Sequence, residues 1–228
     1  MVYQGSKEKI ADEIVSILNT MRSPGQLYWE PFLGSASTFS RMATPRLGTD
    51  AMTDLIMLWN EVIADRFIEP SYIVKSQYDD YMQSDVPSAI RAYIGFFWSF
   101  SGMFNKGYSP DFFQGSRSFH SMHERAKSLR AQPTKISACD YTMPRVKGAL
   151  IYADPPYRGT TGYKGAKPFD HDKFYLWCLE QKEQGNTVVV SEYFMPEPFQ
   201  QIHEFPFRTS LATVHRDSDK PERLYTLL

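Results

Sequence analysis

The tetrapeptide Asp154-Pro155-Pro156-Tyr157 has the residue types best suited to chemistry in this chain. It follows the mostly apolar run 149–153, which is typical of a buried strand. Two consecutive prolines can neither continue a helix nor donate to a sheet ladder. The pattern therefore predicts a strand that stops abruptly and presents a carboxylate and an aromatic ring at its carboxyl end.

Three more acids, Glu30, Asp50 and Asp140, are predicted at the carboxyl ends of strands. Ligands of open α/β sheets bind at the carboxyl ends of the strands. Any one of these acids could be a helix N-cap or a surface charge. Together with Asp154 they favour a ligand site, in which Asp50 is well placed to accept hydrogen bonds from ribose hydroxyls.

The turn after the first predicted strand is small and tight, and we call residues 31–37 the Gly34 turn. Such a turn lets a ligand approach the backbone and the positive end of the next helix. Its single glycine does not match the dinucleotide fingerprint, so a plain strand–helix turn is the alternative. Lys7 could pair with a ligand carboxylate, although a lysine at a helix start is commonly solvated.

The elements that must position these residues alternate between helix and strand at both ends of the chain. Strands are predicted over 26–34, 45–50, 148–156 and 186–194, and a closing hairpin over 207–216 and 222–228. Helices are predicted over 7–21, 35–43, 51–67, 119–131 and 169–185, with a buried helix or alternatively a strand over 89–100. The alternation stops within 68–134, where 104–118 is predicted to be an irregular loop. This order favours a doubly wound α/β sheet that carries an insertion.

Composition narrows the class of protein. The 228 residues are 42% hydrophobic with a net charge of -1, so overall charge does not indicate a nucleic-acid partner. Residues 101–150, however, hold eight Lys or Arg against three Asp or Glu. This basic segment is either a solvated helix face or a surface that follows phosphates.

Cysteine content and hydropathy exclude other classes. Cys139 and Cys178 are far apart, which argues against a disulfide framework or a zinc site, and no metal ligands are predicted. The first residues lack the apolar core of a signal peptide, and no apolar run is long enough to span a membrane. We expect a cytoplasmic protein without a membrane partner.

Taken in order, the motifs resemble those of the Dam-like N6-adenine DNA methyltransferases. The similar stretches are the N-terminal 3–7 (YQGSK), the cofactor motif 30–34 (EPFLG), Asp50 after the second strand, Cys139-Asp140-Tyr141, the catalytic Asp154-Pro155-Pro156-Tyr157, and the downstream 160–163 (TTGY), 169–175 and 188–193. The family pattern usually has a second glycine where this chain has Ala36.

The resemblance implies a Rossmann-like methyltransferase fold, a mixed sheet with a C-terminal β-hairpin, and a small, mainly helical target-recognition region. The catalytic domain would comprise 1–67 and 135–228, and the target-recognition insertion 68–134. It also implies site-specific transfer of a methyl group from S-adenosylmethionine to N6 of a flipped adenine in DNA. DNA is the expected partner, a restriction endonuclease is a possible one, and a monomer is expected.

The resemblance also implies roles for individual residues. The carboxylate of Asp154 and the carbonyl of Pro155 would accept the two N6 hydrogens, while Tyr157 would stack on the base. The residues expected to bind the cofactor are Tyr3, Lys7, Glu30, Pro31, Phe32, Gly34, Ser35, Ala36, Ser37, Asp50, Asp140, Tyr141 and Asp154. The DNA-contacting candidates in the basic segment are Asn105, Lys106, Arg117, His120 and Arg125.

Two alternatives remain from the sequence. The first is a methyltransferase of the same fold that acts on cytosine N4 or on RNA; cytosine enzymes more often carry Ser where this chain has Asp154. The second is a non-catalytic DNA-binding protein that keeps the fold.

Overall fold

The computed structural model describes residues 5–110, 112–159, 168–206 and 221–227, with the backbone alone over 112–118. Within them lies one mixed sheet with strand order β3-β2-β1-β4-β5-β7-β6. The strands are β1 (Tyr28–Glu30), β2 (Arg46–Asp50), β3 (Lys135–Ala138), β4 (Leu150–Ala153), β5 (Thr187–Glu192), β6 (Phe199–Glu204) and β7 (Arg223–Leu227). The helices are α1 (Ala11–Met21), α2 (Thr53–Ile63), α3 (Lys75–Gln83), α4 (Ala89–Phe97), α5 (Phe112–Arg130) and α6 (His171–Glu183).

The central strands are parallel, and β7 runs antiparallel to both β5 and β6. Strand β1 pairs with β2 on one side and with β4 on the other, so the order of the strands reverses between β1 and β4. Ligands of open α/β sheets bind at such a switch point, outside the carboxyl ends of the strands. The sheet therefore brings Glu30 and Asp154 to the same edge.

Two apolar cores cover the two faces of the sheet. Successive strand side chains point to opposite faces, and accordingly Tyr28 joins one buried cluster while Trp29 joins the other. The first cluster is shared with α1, α2, α4 and α5, and the second with α6. Because both faces are covered, β4 is an apolar run that is buried throughout, and β5 is buried at every residue after Thr187.

The segment 68–134 packs onto the sheet through α2. Helices α4 and α5 both contact α2, and their buried residues belong to the first core. A partly buried ion pair joins Arg91 of α4 to Asp54 of α2 at 2.6 Å. This segment contains α3, α4 and α5 and no strand among its described residues.

The predicted fold class is confirmed, and three local predictions are corrected. The predicted helix over 35–43 is only the 3₁₀ turn Phe39–Arg41. Gly34 and Ala36 have φ of 47° and 53°, and a right-handed helix cannot pass through that conformation.

The predicted loop over 104–118 is helical from Phe112 onward, as the first part of α5. Phe119, Met122, Ala126 and Leu129 of this helix are buried at helical spacing. Packing of this face outweighs the glycine and serine residues that indicated a loop.

The antiparallel partner of β7 is β6, which lies upstream of the predicted hairpin strand 207–216. That predicted strand lies outside the described residues. In the described parts of the chain, no helix combines the length and the apolar character needed to cross a membrane.

Candidate active site

Asp154 is the first residue after β4, at the carboxyl edge of the sheet. Its side chain is 18% exposed, and its Oδ1 lies 2.8 Å from the Nζ atom of Lys7. Because Pro155 and Pro156 cannot extend the strand, the chain leaves the sheet here. Pro155 is buried and Pro156 is exposed.

Lys7 reaches this edge from the segment before α1. Its ammonium group also lies 3.4 Å from Oε1 of Glu222, donates to the carbonyl of Gly5 at 3.0 Å, and sits 4.8 Å from the centre of the Tyr157 ring. Burial alone would lower the pKa of Lys7, but the carboxylates of Asp154 and Glu222 outweigh it and raise the pKa. Lys7 is therefore held in its charged form between two acids.

The charge of Asp154 is set by the same neighbours. Burial, together with repulsion from Glu222, raises the pKa of Asp154 to about 6, while Lys7 acts in the opposite direction. At neutral pH the carboxyl group is therefore mostly ionised and can accept hydrogen bonds.

Tyr157 is oriented by its hydroxyl group and by its ring. The hydroxyl lies 2.9 Å from Oγ of Ser191 and donates to Oε1 of Glu222 at 3.0 Å. The ring meets Tyr193 edge to face, with centroids 4.7 Å apart. Ser191 and Tyr193 thus form a wall beside Tyr157 at the end of β5, within the stretch 188–193 that resembles the family.

Glu192 completes this wall. Its carboxylate accepts from the backbone N–H groups of Arg158 at 3.1 Å and Tyr193 at 2.8 Å. Burial raises the pKa of Glu192 to about 7.

Glu222 was not anticipated from the sequence. It lies 65 residues beyond Tyr157 and directly precedes β7, whose first residue, Arg223, pairs with Glu192 of β5. The antiparallel pairing carries Glu222 to the carboxyl end of β5. A sequence signal existed only in its position directly before the apolar strand 223–227.

The Gly34 turn lies beside the end of β1 and is tied to the end of β2. Asp50 accepts from the backbone N–H of Gly34 through Oδ2 at 3.0 Å, and from that of Met52 through Oδ1 at 2.9 Å. Burial raises the pKa of Asp50, and these two hydrogen bonds oppose the rise. Trp59 donates from its ring N–H to the carbonyl of Gly34 at 3.0 Å.

Serine hydroxyls hold the rest of the turn against the N-terminal segment. Ser35 and Ser37 are 2.8 Å apart through their Oγ atoms, and Ser6 lies 3.1 Å from each. Ala36, at the position of the missing glycine, has a φ of 53°. Glycine adopts such a φ without steric cost, so the backbone of this chain keeps the conformation that a glycine would favour.

Glu30 lies deeper than the other acids. It is buried and accepts a hydrogen bond from the Tyr28 hydroxyl at 2.6 Å. Burial raises the pKa of Glu30 well above its usual value. Pro31, the first residue of the turn, is buried as well. Glu30 is thus enclosed within the protein, whereas Asp140 is exposed.

The last predicted cofactor residues lie after β3. Asp140 is exposed, and its Oδ1 accepts from the backbone N–H and the hydroxyl of Thr142 at 2.9 and 2.6 Å. Tyr141 is buried, and its ring centre lies 5.4 Å from that of Phe32. Asp140 is therefore available to a ligand, while Tyr141 and Phe32 form an aromatic wall beside it. Tyr3 lies outside the described residues.

Comparison with known families concerns the N-terminal part of this site. Residues 3–104, which include Lys7 and the Gly34 turn, match the sequence model of the D12 class N6 adenine-specific DNA methyltransferases. The predicted resemblance and the predicted activity, an N6-adenine DNA methyltransferase, are thereby confirmed.

Two solved structures are similar to this chain at low sequence identity. The rRNA methyltransferase AviRa from Streptomyces viridochromogenes is 13% identical, with a TM-score of 0.43 over 95% of this chain and 83% of its own. SMU.472, described as a methyltransferase and complexed with SAH, is 11% identical, with a TM-score of 0.36 over 97% of this chain and 52% of its own. Neither likeness carries an argument at these TM-scores. No curated protein matches the chain.

The DNA-contacting candidates predicted from the sequence are spread over the segment 68–134. Lys106 is exposed and Asn105 half-buried, in the loop between α4 and α5. His120 is exposed on α5, and the side chain of Arg117 lies outside the described residues. The contacts described for Asn105, Lys106 and His120 are with Gly95, Met103 and Glu124, and do not include Asp154 or its neighbours.

Arg125 requires a correction. Its side chain is only 7% exposed, and it donates to the carbonyl of Ser35 at 2.9 Å and to Oε2 of Glu8 at 2.6 Å. A buried guanidinium with both ends engaged cannot reach a DNA phosphate. Arg125 therefore braces the Gly34 turn instead of lining a DNA-facing surface.

Proposed function

We propose that the chain transfers the methyl group of S-adenosylmethionine to N6 of an adenine flipped out of duplex DNA, with Asp154 and Tyr157 at the reaction centre. The observation that carries this proposal is the Lys7–Asp154 ion pair beside the Tyr157 ring, at the switch point of the sheet. The roles of the single residues below are part of the proposal.

The charged side chains at the carboxyl edge of the sheet fit S-adenosylmethionine. This edge has four carboxylates, from Asp50, Asp140, Asp154 and Glu222. Lys7 is held between the last two. Such a site favours a cationic sulfonium ligand over one that carries phosphates, because a phosphate would be repelled. When bound, S-adenosylmethionine supplies an electrophilic methyl group on sulfur.

The cofactor is proposed to lie along the Gly34 turn. Each oxygen of Asp50 accepts one backbone N–H, which leaves lone pairs for ribose hydroxyls. Asp140 is exposed and can accept from the amine of the cofactor's adenine, with the Phe32–Tyr141 wall beside it. The tight turn lets the cofactor approach its backbone.

Asp154 is proposed to accept one N6 hydrogen of the target adenine, and the carbonyl of Pro155 the other. The lone pair of this amine is delocalised into the ring, and holding both hydrogens directs it towards the methyl group. The lone pair would form the new N–C bond as the methyl–sulfur bond breaks, and the electrons of that bond would stay on the sulfur of S-adenosylhomocysteine. The proton released from N6 would pass to the carboxylate of Asp154 and from there to solvent. Lys7 fixes Asp154 for this step. Positioning and charge complementarity supply the catalysis.

Tyr157 is proposed to stack on the flipped base. The amine cannot be reached inside a duplex, so the enzyme must extrude the nucleotide. Stacking on an aromatic side chain contributes about 1–3 kcal/mol per base. Hydrogen bonds through the hydroxyl fix the plane of the ring before the base arrives.

The segment 68–134 is proposed as the target-recognition region. Asn105, Lys106, Arg117 and His120 are its candidate DNA contacts, on the loop between α4 and α5 and on α5 itself. Arginine suits guanine and asparagine suits adenine in direct readout. A restriction endonuclease partner and a monomeric enzyme stay predictions from the sequence.

The test is to incubate the protein with S-adenosylmethionine and unmethylated DNA of mixed sequence, and to identify the methylated nucleosides after digestion. N6-methyl-2′-deoxyadenosine is expected from the wild type and none from Asp154→Ala, with both proteins folded by circular dichroism. N4-methyl-2′-deoxycytidine would overturn the target assignment. Methylation of RNA alone would overturn the assignment to DNA, and full activity of Asp154→Ala would overturn the mechanism.

A further inference from the structure

Glu222 occupies a central place among the side chains around Tyr157. Its Oε1 atom accepts from the Ser191 hydroxyl at 2.7 Å and from the Tyr157 hydroxyl at 3.0 Å, and lies 3.4 Å from Nζ of Lys7. The carboxylate is 22% exposed, so solvent reaches only part of it. One oxygen thus connects β5, the N-terminal segment and the motif after β4.

We infer that Glu222 is a positioning residue for methyl transfer, which fixes the Tyr157 ring and holds Lys7 against Asp154. This inference rests on the proposed function of Asp154 and Tyr157. Glu222 acts through these residues and needs no contact with the adenine or the cofactor.

The geometry explains why a carboxylate is needed at this position. Tyr157 and Ser191 both bring hydroxyl groups to the same oxygen, and Lys7 brings an ammonium. A carboxylate has lone pairs for several donors, and hydrogen bonds to an ionised acceptor are stronger than those to a neutral one. An amide at position 222 would keep one acceptor oxygen but lose the charge that attracts Lys7.

The charge also acts on Asp154. Lys7 is shared by Asp154 and Glu222, and the negative charge of Glu222 is one reason why the pKa of Asp154 is raised to about 6. Removing that charge leaves Lys7 to Asp154 alone and lowers the pKa of Asp154. The other titratable groups that act on this centre are Glu30 of β1, Tyr152 of β4, Glu192 of β5, and Tyr157 and Tyr193 in the loops after β4 and β5.

The test compares Glu222→Gln with the wild type. We expect kcat to fall about tenfold or more, the rate equivalent of losing one hydrogen bond to a charged group. We expect the acidic limb of the pH–kcat profile to move to lower pH, while KM for S-adenosylmethionine changes little. Glu204→Gln is the matched control, because Glu204 pairs with Arg223 on the exposed side of β6 and should leave both quantities unchanged.

A second measurement does not depend on activity. The carboxyl carbon of Asp154 is titrated by carbon-13 NMR, with its signal assigned by its loss in Asp154→Asn. The midpoint should lie lower in Glu222→Gln than in the wild type. If both the midpoint and kcat are unchanged in Glu222→Gln, the role of Glu222 is overturned and the proposed function is not. If the wild type transfers no methyl group, the proposed function is overturned. In that case the titration still decides whether Glu222 acts on Asp154.

Discussion

Asp154 is a carboxyl group whose charge changes within the pH range in which enzymes are commonly assayed. Its pKa is raised to about 6 because it is buried and faces Glu222, against the opposing effect of Lys7. Only the ionised form can accept a hydrogen from N6 through either oxygen. Protonation of Asp154 therefore sets a lower pH limit for methyl transfer.

We predict that kcat/KM falls as the pH decreases through about 6, with a slope that indicates one protonation. Protonation of Asp154 turns one of its two acceptor oxygens into a donor and weakens the attraction of the carboxyl group to Lys7. The measurement is a pH–rate profile from pH 5 to 8 with stability checked at each point. A rate independent of pH over that range would contradict an essential ionised Asp154.

The sequence predicted site roles for single residues that stand in a short motif or at the end of a strand, namely Asp154, Tyr157, Lys7 and Asp50. It could not predict Glu222, since the contact with Tyr157 is made by a strand 65 residues away that runs antiparallel to its neighbour. The buried position of Arg125 could not be predicted from the sequence either. Its charge indicated an exposed face, but the destination of a long side chain depends on tertiary packing.

Helix α5 connects the segment 68–134 to the Gly34 turn. Arg125 of this helix donates to the carbonyl of Ser35 and to Glu8, and Glu8 is also paired with Arg41 after the turn. Although partial burial alone would raise it, the two guanidinium groups lower the pKa of Glu8 to about 2. A helix proposed to recognise DNA thus braces a turn proposed to hold the cofactor.

We predict that Arg125→Ala weakens binding of S-adenosylhomocysteine by about tenfold or more, because one charge-assisted contact to the turn is lost. Affinity for DNA should change by much less. The measurements are calorimetry for the cofactor product and fluorescence anisotropy for a DNA duplex. Lys127→Ala is the control, since Lys127 lies on the same helix but is exposed.

The opposite result, with weakened DNA binding and unchanged cofactor affinity, would restore Arg125 to the DNA-facing surface. Arg125→Lys adds a further check, because lysine keeps the charge but cannot contact both Ser35 and Glu8 in the same forked geometry. It should recover only part of the cofactor affinity.

Among the elements, strands and long helices with clear periodicity were predicted well, and β1, β2, β4, β5, α2 and α6 lie within their predicted ranges. The errors arose where local composition and tertiary structure disagree. Residues 35–43 have no breaker that stops a helix, yet the left-handed conformation of Ala36 prevents one. Residues 112–118 contain Gly115 and Ser116, yet they continue a helix whose later turns are anchored in the core.

At the scale of the whole molecule, the described chain has two cores on one sheet. The segment 68–134 contributes α4 and α5 to the same core as β1, β4 and α2. The apolar side chains of this segment therefore lie in the same core as one face of the sheet. Alternation of strands and helices predicted a sheet with an insertion, but not that the insertion would share the core, because periodicity does not specify which elements pack together.

We predict that the protein unfolds in urea in a single transition, with coincident midpoints by far-ultraviolet circular dichroism and by tryptophan fluorescence. The tryptophans sample both cores, Trp59 and Trp98 in the first and Trp29 and Trp177 in the second. Gly95→Ala provides the perturbation, because a Cβ there would lie 2.3 Å from the Phe104 ring.

This overpacking should cost about 1–3 kcal/mol and shift both midpoints equally, although Gly95 lies in α4. Two separate transitions, or a shift confined to one signal, would show that the segment 68–134 folds independently of the sheet.

The outer strand β6 has a consequence for behaviour in concentrated solution. It forms one edge of the sheet, exposes Gln200 and Gln201, and contains a β-bulge between Gln201 and His203. His203 is further tied to Glu13 of α1 at 2.8 Å. An unpaired edge is a template for strand addition and aggregation, and bulges and polar side chains on an edge oppose it. The irregularity of β6 thus makes it a poor seed for intermolecular β-pairing.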